Sequence, residues 1–174
     1  ITDGAVYFDG TSDYLAVTNS NDFDFDGTFT MEALVYADTL AANPMIFTRG
    51  GGNTGTSWSA TNGAQFALYC LSDGVVRFEY NNGANGSHTL ASSAGSVVVK
   101  RWHHIAVTYD TTTFTLWVDG VSAATGTGSP TMPTTRNLVY IGMWPTSADV
   151  QEWQGFISNL RFVKGTQLYT SNFT

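Results

Sequence analysis

Between Trp102 and Gly126 the chain reads WHHIAVTYDTTTFTLWVDGVSAATG, three runs of β-branched and aromatic residues broken only by Asp, Thr and Gly. A two-residue period puts successive side chains on opposite faces of a strand, so His103, Ile105, Val107 and Tyr109 share one face, and Phe114, Leu116 and Val118 another. The same texture recurs along the chain, predicting strands over 5–9, 14–18, 29–37, 45–49, 65–72, 75–80, 88–92, 102–110, 114–119, 121–126, 138–143 and 156–163. Helical periodicity is hard to find anywhere. Asp73-Gly74 and Asp119-Gly120 each separate two alternating runs, and Asp-Gly favours type I′ turns, so both are expected to be tight hairpins. Short strands without room for crossover helices pair antiparallel, which leaves an all-β sandwich or barrel with one face of each strand turned inward. On strand 29–37 the inward face is Phe29, Met31, Ala33 and Val35. The opposite faces carry Trp102, His104, Ala106, Thr108, Thr115 and Trp117, apolar enough to predict a sheet partly covered on its second side or one presenting aromatics to a ligand.

The 174 residues suit a single domain, 1–174, with a sizeable core. Charged residues are 12% of the chain, about half the usual share, so Thr, Ser, Asn and Gly must cover the surface, as suits the outside of a cell or virion. A net charge of −7 with seven scattered Lys and Arg leaves no basic stripe to follow a phosphate backbone, which argues against nucleic acid. Apolar runs are too short for membrane insertion. Cys70 has no second cysteine to pair with and shares a strand face with Phe66 and Leu68, so it is expected to be buried. The chain begins with Ile1 and no leader pattern precedes AVYFDG, which reads as a processed product or an excised domain.

The stretch DFDFDG, residues 22–27, begins like an EF-hand loop. Such a loop needs a bidentate glutamate at its twelfth position, which is Ala33; Glu32 misses by one. Phe23 and Phe25 alternate with the acids at strand period, so the calcium-loop reading fails.

Taken together, YFDGTSDYLAV, FDFDGTFTMEALVYA, MIFTRGG, WHHIAVTYD, FTLWVDGV, IGM and GFISNLRFVKGTQLYTSNFT resemble, in order and spacing, the laminin G-like branch of the concanavalin A-like lectin and glucanase superfamily. The resemblance covers nearly the whole chain, and its closing segment is similar to versions in phage and environmental structural proteins. It implies a jelly-roll β-sandwich of two curved antiparallel sheets, with the concave sheet and rim loops as the ligand surface. It also implies that Phe23 and Phe25 pack beneath the sandwich while Asp22, Asp24 and Asp26 face solvent or cap turns. Many members of the superfamily hold one structural calcium, for which Asp9, Asp13 and Asn159 are the candidates here; the alternative is that Asp9 and Asp13 cap their own turn. Leu34 stands where relatives commonly carry Trp.

Catalysis finds no support in the motifs. Glycoside hydrolysis needs two carboxylates flanking the scissile bond, whereas Glu32, Glu79 and Glu152 are dispersed. Glu32 is expected to pair with a cation on a neighbouring strand such as Arg49. His103 and His104 point to opposite faces and cannot chelate one ion. No catalytic residue is assigned. Sugar recognition needs aromatic planes with amide and carboxylate partners, and the expected loops supply Trp58, Tyr80, Asn82, Trp144, Asp149 and Trp153. The sequence thus predicts a non-catalytic carbohydrate-recognition or adhesion module, with a glycan or surface polysaccharide as partner, located outside the cell, on its surface or on a virion. The alternative is a virion or fibre appendage acting through self-association or protein contacts; a polysaccharide hydrolase or lyase is a third, weaker reading.

Overall fold

The computed structural model describes residues 4–41, 43–50, 65–81, 87–131, 138–145 and 151–174. The described strands form two six-stranded antiparallel sheets. In the first the order is β1 (Val6–Asp9), β12 (Gln154–Lys164), β3 (Phe29–Ala37), β8 (Trp102–Tyr109), β9 (Thr113–Val118), β10 (Val121–Thr127). In the second it is β2 (Leu15–Val17), β11 (Val139–Ile141), β4 (Met45–Arg49), β5 (Phe66–Cys70), β6 (Val76–Asn81), β7 (Ser87–Ala91). Among the described residues no helix is long and apolar enough to cross a membrane.

Alternation builds the core. Phe29, Met31, Ala33 and Val35 of β3 meet Ile105, Val107 and Tyr109 of β8 in register and, with Phe114 and Leu116 of β9, pack against Phe47, Phe66, Leu68, Phe78 and Tyr80 of the second sheet. At roughly 1.5–3 kcal/mol for each fully buried large apolar side chain, this layer offsets the ordering of the backbone without a disulfide. Cys70 is buried here, and burial pushes its thiol up to about 12. His103 also faces inward: the Val98 N–H donates to Nε2 at 3.1 Å, so the proton sits on Nδ1, 2.7 Å from Asp119 Oδ2.

Asp119 (φ 50°) and Gly120 (φ 78°) form the expected two-residue turn between β9 and β10. The other Asp-Gly hairpin is looser. Gly74 donates its N–H to the Leu71 carbonyl at 3.0 Å and Leu71 N–H reaches Val75, so only Gly74 of that pair is left-handed.

The acidic stretch is not a strand at its start. Asn21–Phe23 is a turn of 3-10 helix whose N-cap, Ser20, accepts the Asp22 N–H. Phe25 is buried, and Asp24 pairs at 2.9 Å with the fully buried Arg49, which also donates to the Phe23 and Ser20 carbonyls. Arg49 therefore anchors this segment and is not the partner of Glu32.

Residues 165–174 lie as a strap over the outer face of the first sheet. Thr30 Oγ1 donates to the Thr166 carbonyl at 2.9 Å and accepts the Leu168 N–H at 2.9 Å; farther along, the Phe173 N–H donates to Gly120 at 2.9 Å. Tyr169 and Phe173 stack at 3.7 Å, with Phe173 beside Trp117 and His104. A Cβ on Gly120 would come within 1.9 Å of the Phe173 carbonyl oxygen, so the turn and the strap fit only with glycine there. The strap is what buries Thr30, Glu32, Thr108 and Trp117, the first of the two arrangements expected for the second side.

Candidate binding site on the outer face of the second sheet

The β5–β6 hairpin register places Tyr69 opposite Arg77 and Ala67 opposite Glu79, while Glu79 lies opposite Thr89 of β7. Tyr69, Arg77 and Glu79 all point away from the core because their neighbours Leu68, Phe78 and Tyr80 point into it. Trp144, after β11, packs with Met45, Ala67 and Tyr69 on this outer face. Met45, Tyr69, Leu71, Arg77, Glu79 and Trp144, with Asn43 and Gln151, line a cavity of about 180 Å³.

The polar groups are ordered. Tyr69 donates to Glu79 Oε1 at 2.8 Å, and Thr89 donates to the same oxygen at 3.3 Å. Burial, together with the neighbouring Glu79 carboxylate, pushes the Tyr69 phenol up to about 12, so it remains a neutral donor at physiological pH. Arg77 Nε is shielded from solvent and has no hydrogen-bond partner among the described residues. An indole and a phenol in the lining, with a guanidinium, an ordered carboxylate and amides, suit a polyhydroxylated ring with apolar C–H faces.

The predicted site residues divide. Trp144 belongs to this cavity. Trp58, Asn82 and Asp149 lie outside the described residues. Tyr80 and Trp153 are corrected: both are buried, with exposures of 2% and 0%. Tyr80 continues the inward face of Val76 and Phe78 and stacks on Phe114 at 4.1 Å; neither offers a ring face to a ligand from solvent. The sequence names Glu79 only among the dispersed glutamates and gives Tyr69 and Arg77 no motif signal; strand alternation, which sets them on the face opposite Leu68 and Phe78, is the signal that finds them.

The calcium set does not assemble. Asp13 Oδ2 accepts the Asp9 N–H at 3.1 Å and Asp9 Oδ1 accepts the Thr11 N–H at 2.7 Å, so the pair caps its own turn. Asp9 pairs with Gln154, and Asn159 lies five residues farther along β12, roughly 15 Å at strand rise. Asn159 sits at a bulge with φ 49°, which lets the strand change register between Ser158 and Arg161. These residues do not fit one cation.

Glu32 lies beneath the strap. Arg161 Nε donates to it at 2.5 Å, the Tyr169 hydroxyl at 2.6 Å, and His104 Nε2 stands 3.2 Å away. Burial alone would raise its carboxyl, but the bonds from His104, Tyr169 and Arg161 overcome this and hold it at about 2. A carboxylate so held does not donate a proton near neutral pH.

Two packed antiparallel sheets of six strands each define the class of concanavalin A-like jelly rolls. The model of the concanavalin A-like lectin/glucanases superfamily matches residues 9–167, and the chain belongs to that superfamily. No curated protein sequence matches it. Among solved structures it is similar to laminin G-like domains 4–5 of the mouse laminin α1 chain, with 22% identity and a TM-score of 0.63, covering 91% of this chain but only 40% of that one. It is also similar to the carbohydrate-binding module of a Ruminococcus gnavus sialidase bound to α2,3-sialyllactose, with 16% identity, 91% and 89% coverage and a TM-score of 0.68. A third is domain 4 of an extracellular arabinanase from Geobacillus stearothermophilus in complex with arabinotriose, with 14% identity, 92% and 70% coverage and a TM-score of 0.65. At these identities the likeness is one of fold.

Proposed function

We propose that the chain is a non-catalytic glycan-binding module, secreted or displayed at a surface, that takes one sugar ring into the pocket walled by Trp144 and Tyr69. The observation that carries this reading is the convergence of two aromatic planes with Arg77 and Glu79 on a cavity of about 180 Å³. The small exposed parts of the Trp144 and Tyr69 rings, 6% and 8% of those residues, supply apolar contact, and the polar groups select the hydroxyl pattern. Glu79 already accepts from Tyr69 and Thr89, which aims its remaining lone pairs at an incoming hydroxyl. The sugar complexes of two structural neighbours support the assignment by analogy of fold.

A glycan array tests it. Binding to at least one oligosaccharide, lost in Arg77→Ala and in Trp144→Ala with an unchanged circular dichroism spectrum, is the expected result. The rival reading, an appendage acting through protein contacts, is favoured by the exposed Val6, Tyr14, Leu15 and Val17 along the β1–β2 edge. A blank array with self-association at rising concentration would replace the lectin reading with that one.

A further inference from the structure

Four aromatic side chains form a row across the outer face of the first sheet, on the side of the sandwich away from the pocket. Strand register aligns Tyr7 of β1 with Phe156 of β12, Phe156 with Tyr36 of β3, and Tyr36 with Trp102 of β8. Successive ring centroids are 4.9, 6.0 and 5.7 Å apart, with interplanar angles of 58°, 73° and 54°. Tyr7 is 48% exposed, and the other three are partly exposed. The strap, which buries the same face around Thr30 and Glu32, leaves these rings uncovered.

The row is built into the sheet. Gly155 (φ 134°) carries no Cβ, and one there would meet the Tyr36 carbonyl oxygen at 2.0 Å, so glycine is required for β12 to bring Phe156 beside Tyr36. Beyond Tyr36, the Lys100 N–H donates to the Ala37 carbonyl at 2.8 Å and Lys100 Nζ pairs with Asp38 at 2.8 Å. This ion pair flanks the row beside Tyr7 and Tyr36, with Lys100 63% exposed.

We propose that this row is a second binding surface, for an extended β-linked polysaccharide running across the strands. Rings taken from adjacent strands repeat every 4.9–6.0 Å, and a pyranose unit in an extended β-linked chain advances by a comparable distance. The mutual tilt of the rings, 54–73°, gives steps instead of a flat floor. The Tyr36 phenol, the Trp102 indole N–H and the Lys100–Asp38 pair, to which the Tyr7 hydroxyl is already bonded, offer donors and acceptors to hydroxyl groups along the edges. A protein partner fits less well. A standard protein interface engages roughly 20–30 residues a side, and four rings beside one ion pair cover only a few sugars.

Affinity electrophoresis of the full chain through gels containing barley β-glucan, xylan or hydroxyethylcellulose tests the proposal. Retardation in at least one of these gels is expected, about tenfold weaker for each ring removed in Trp102→Ala or Tyr7→Ala. Tyr7 is half exposed on an edge strand, so its variant keeps the fold should Trp102→Ala lose it. The array binding that depends on Trp144 should survive both changes, and Trp144→Ala should remain retarded. No retardation in any gel, or retardation unchanged in both variants, overturns the second surface while leaving the pocket intact. Self-association of the wild type that Tyr7→Ala abolishes also overturns it, since it gives the row to a protein contact.

Discussion

Replacing Glu32 by glutamine should remove the charge that joins the strap to the first sheet. The carboxylate is fixed by Arg161 at 2.5 Å, Tyr169 at 2.6 Å and His104 at 3.2 Å. A carboxyl held at about 2 against an ordinary 4.5 corresponds to roughly 3 kcal/mol at 1.36 kcal/mol per tenfold. Arg161 is half exposed, so solvent screens its share, and about 2 kcal/mol is the better expectation. For a chain of this size that lowers Tm by about 4–8 °C. The pH dependence has a definite sign. The folded carboxyl lies below its unfolded value, so its stabilisation is fully present above pH 5 and is lost as pH falls toward 2. Urea unfolding of both proteins between pH 7 and pH 2 measures it: the gap between wild type and Glu32→Gln should be widest at neutral pH and close on acidification. A gap that is absent at pH 7, or that persists unchanged at pH 2, would refute the reasoning.

Gly120→Ala combines a left-handed residue with a Cβ 1.9 Å from the Phe173 oxygen, so it should cost more than about 2 kcal/mol and free the chain end. Carboxypeptidase trimming followed by mass spectrometry reads the release, with Gly95→Ala, which is equally left-handed but has nothing within 4 Å, as the control for strain alone. Cys70, fully buried with its thiol at about 12, should resist an aromatic disulfide reagent in the native protein and react fully in guanidinium. Absorbance near 295 nm should show Tyr69 ionising later than the exposed tyrosines, and its contribution to stability should be lost as pH rises from 10 toward 12; Tyr69→Phe removes that late step.

The strands were legible because a strand half-buried by its neighbours writes its two faces into alternate residues. β3 and β4 fall on the expected boundaries, 29–37 and 45–49, and the inward residues of β3, β8 and β9 are those the alternation assigns. Alternation also determines the outer faces and the ends of the strands. Tyr80 follows Val76 and Phe78 at period two and ends the predicted strand 75–80, so alternation assigns it to the core, while the asparagines that follow make it look like a loop aromatic. Tyr69, Arg77 and Glu79 occupy the complementary face, and the Asp73-Gly74 turn fixes which of them stand opposite one another. The strap was not legible, because it joins no ladder: its bonds pair Thr30 with residues 136 and 138 positions away, and nothing local in TQLYTSNFT encodes them. The separation of Asn159 from Asp9 likewise depends on register along β12, which a motif comparison does not carry.

With Phe173 fastened to the β9–β10 turn, the chain leaves the sandwich on the side remote from Trp144. A biosensor chip coupled through a tag at Thr174 would crowd the aromatic row and present the pocket to the flow. Coupling by biotin at a cysteine placed near the pocket would reverse that orientation, so one molecule mounted two ways should report its two surfaces separately.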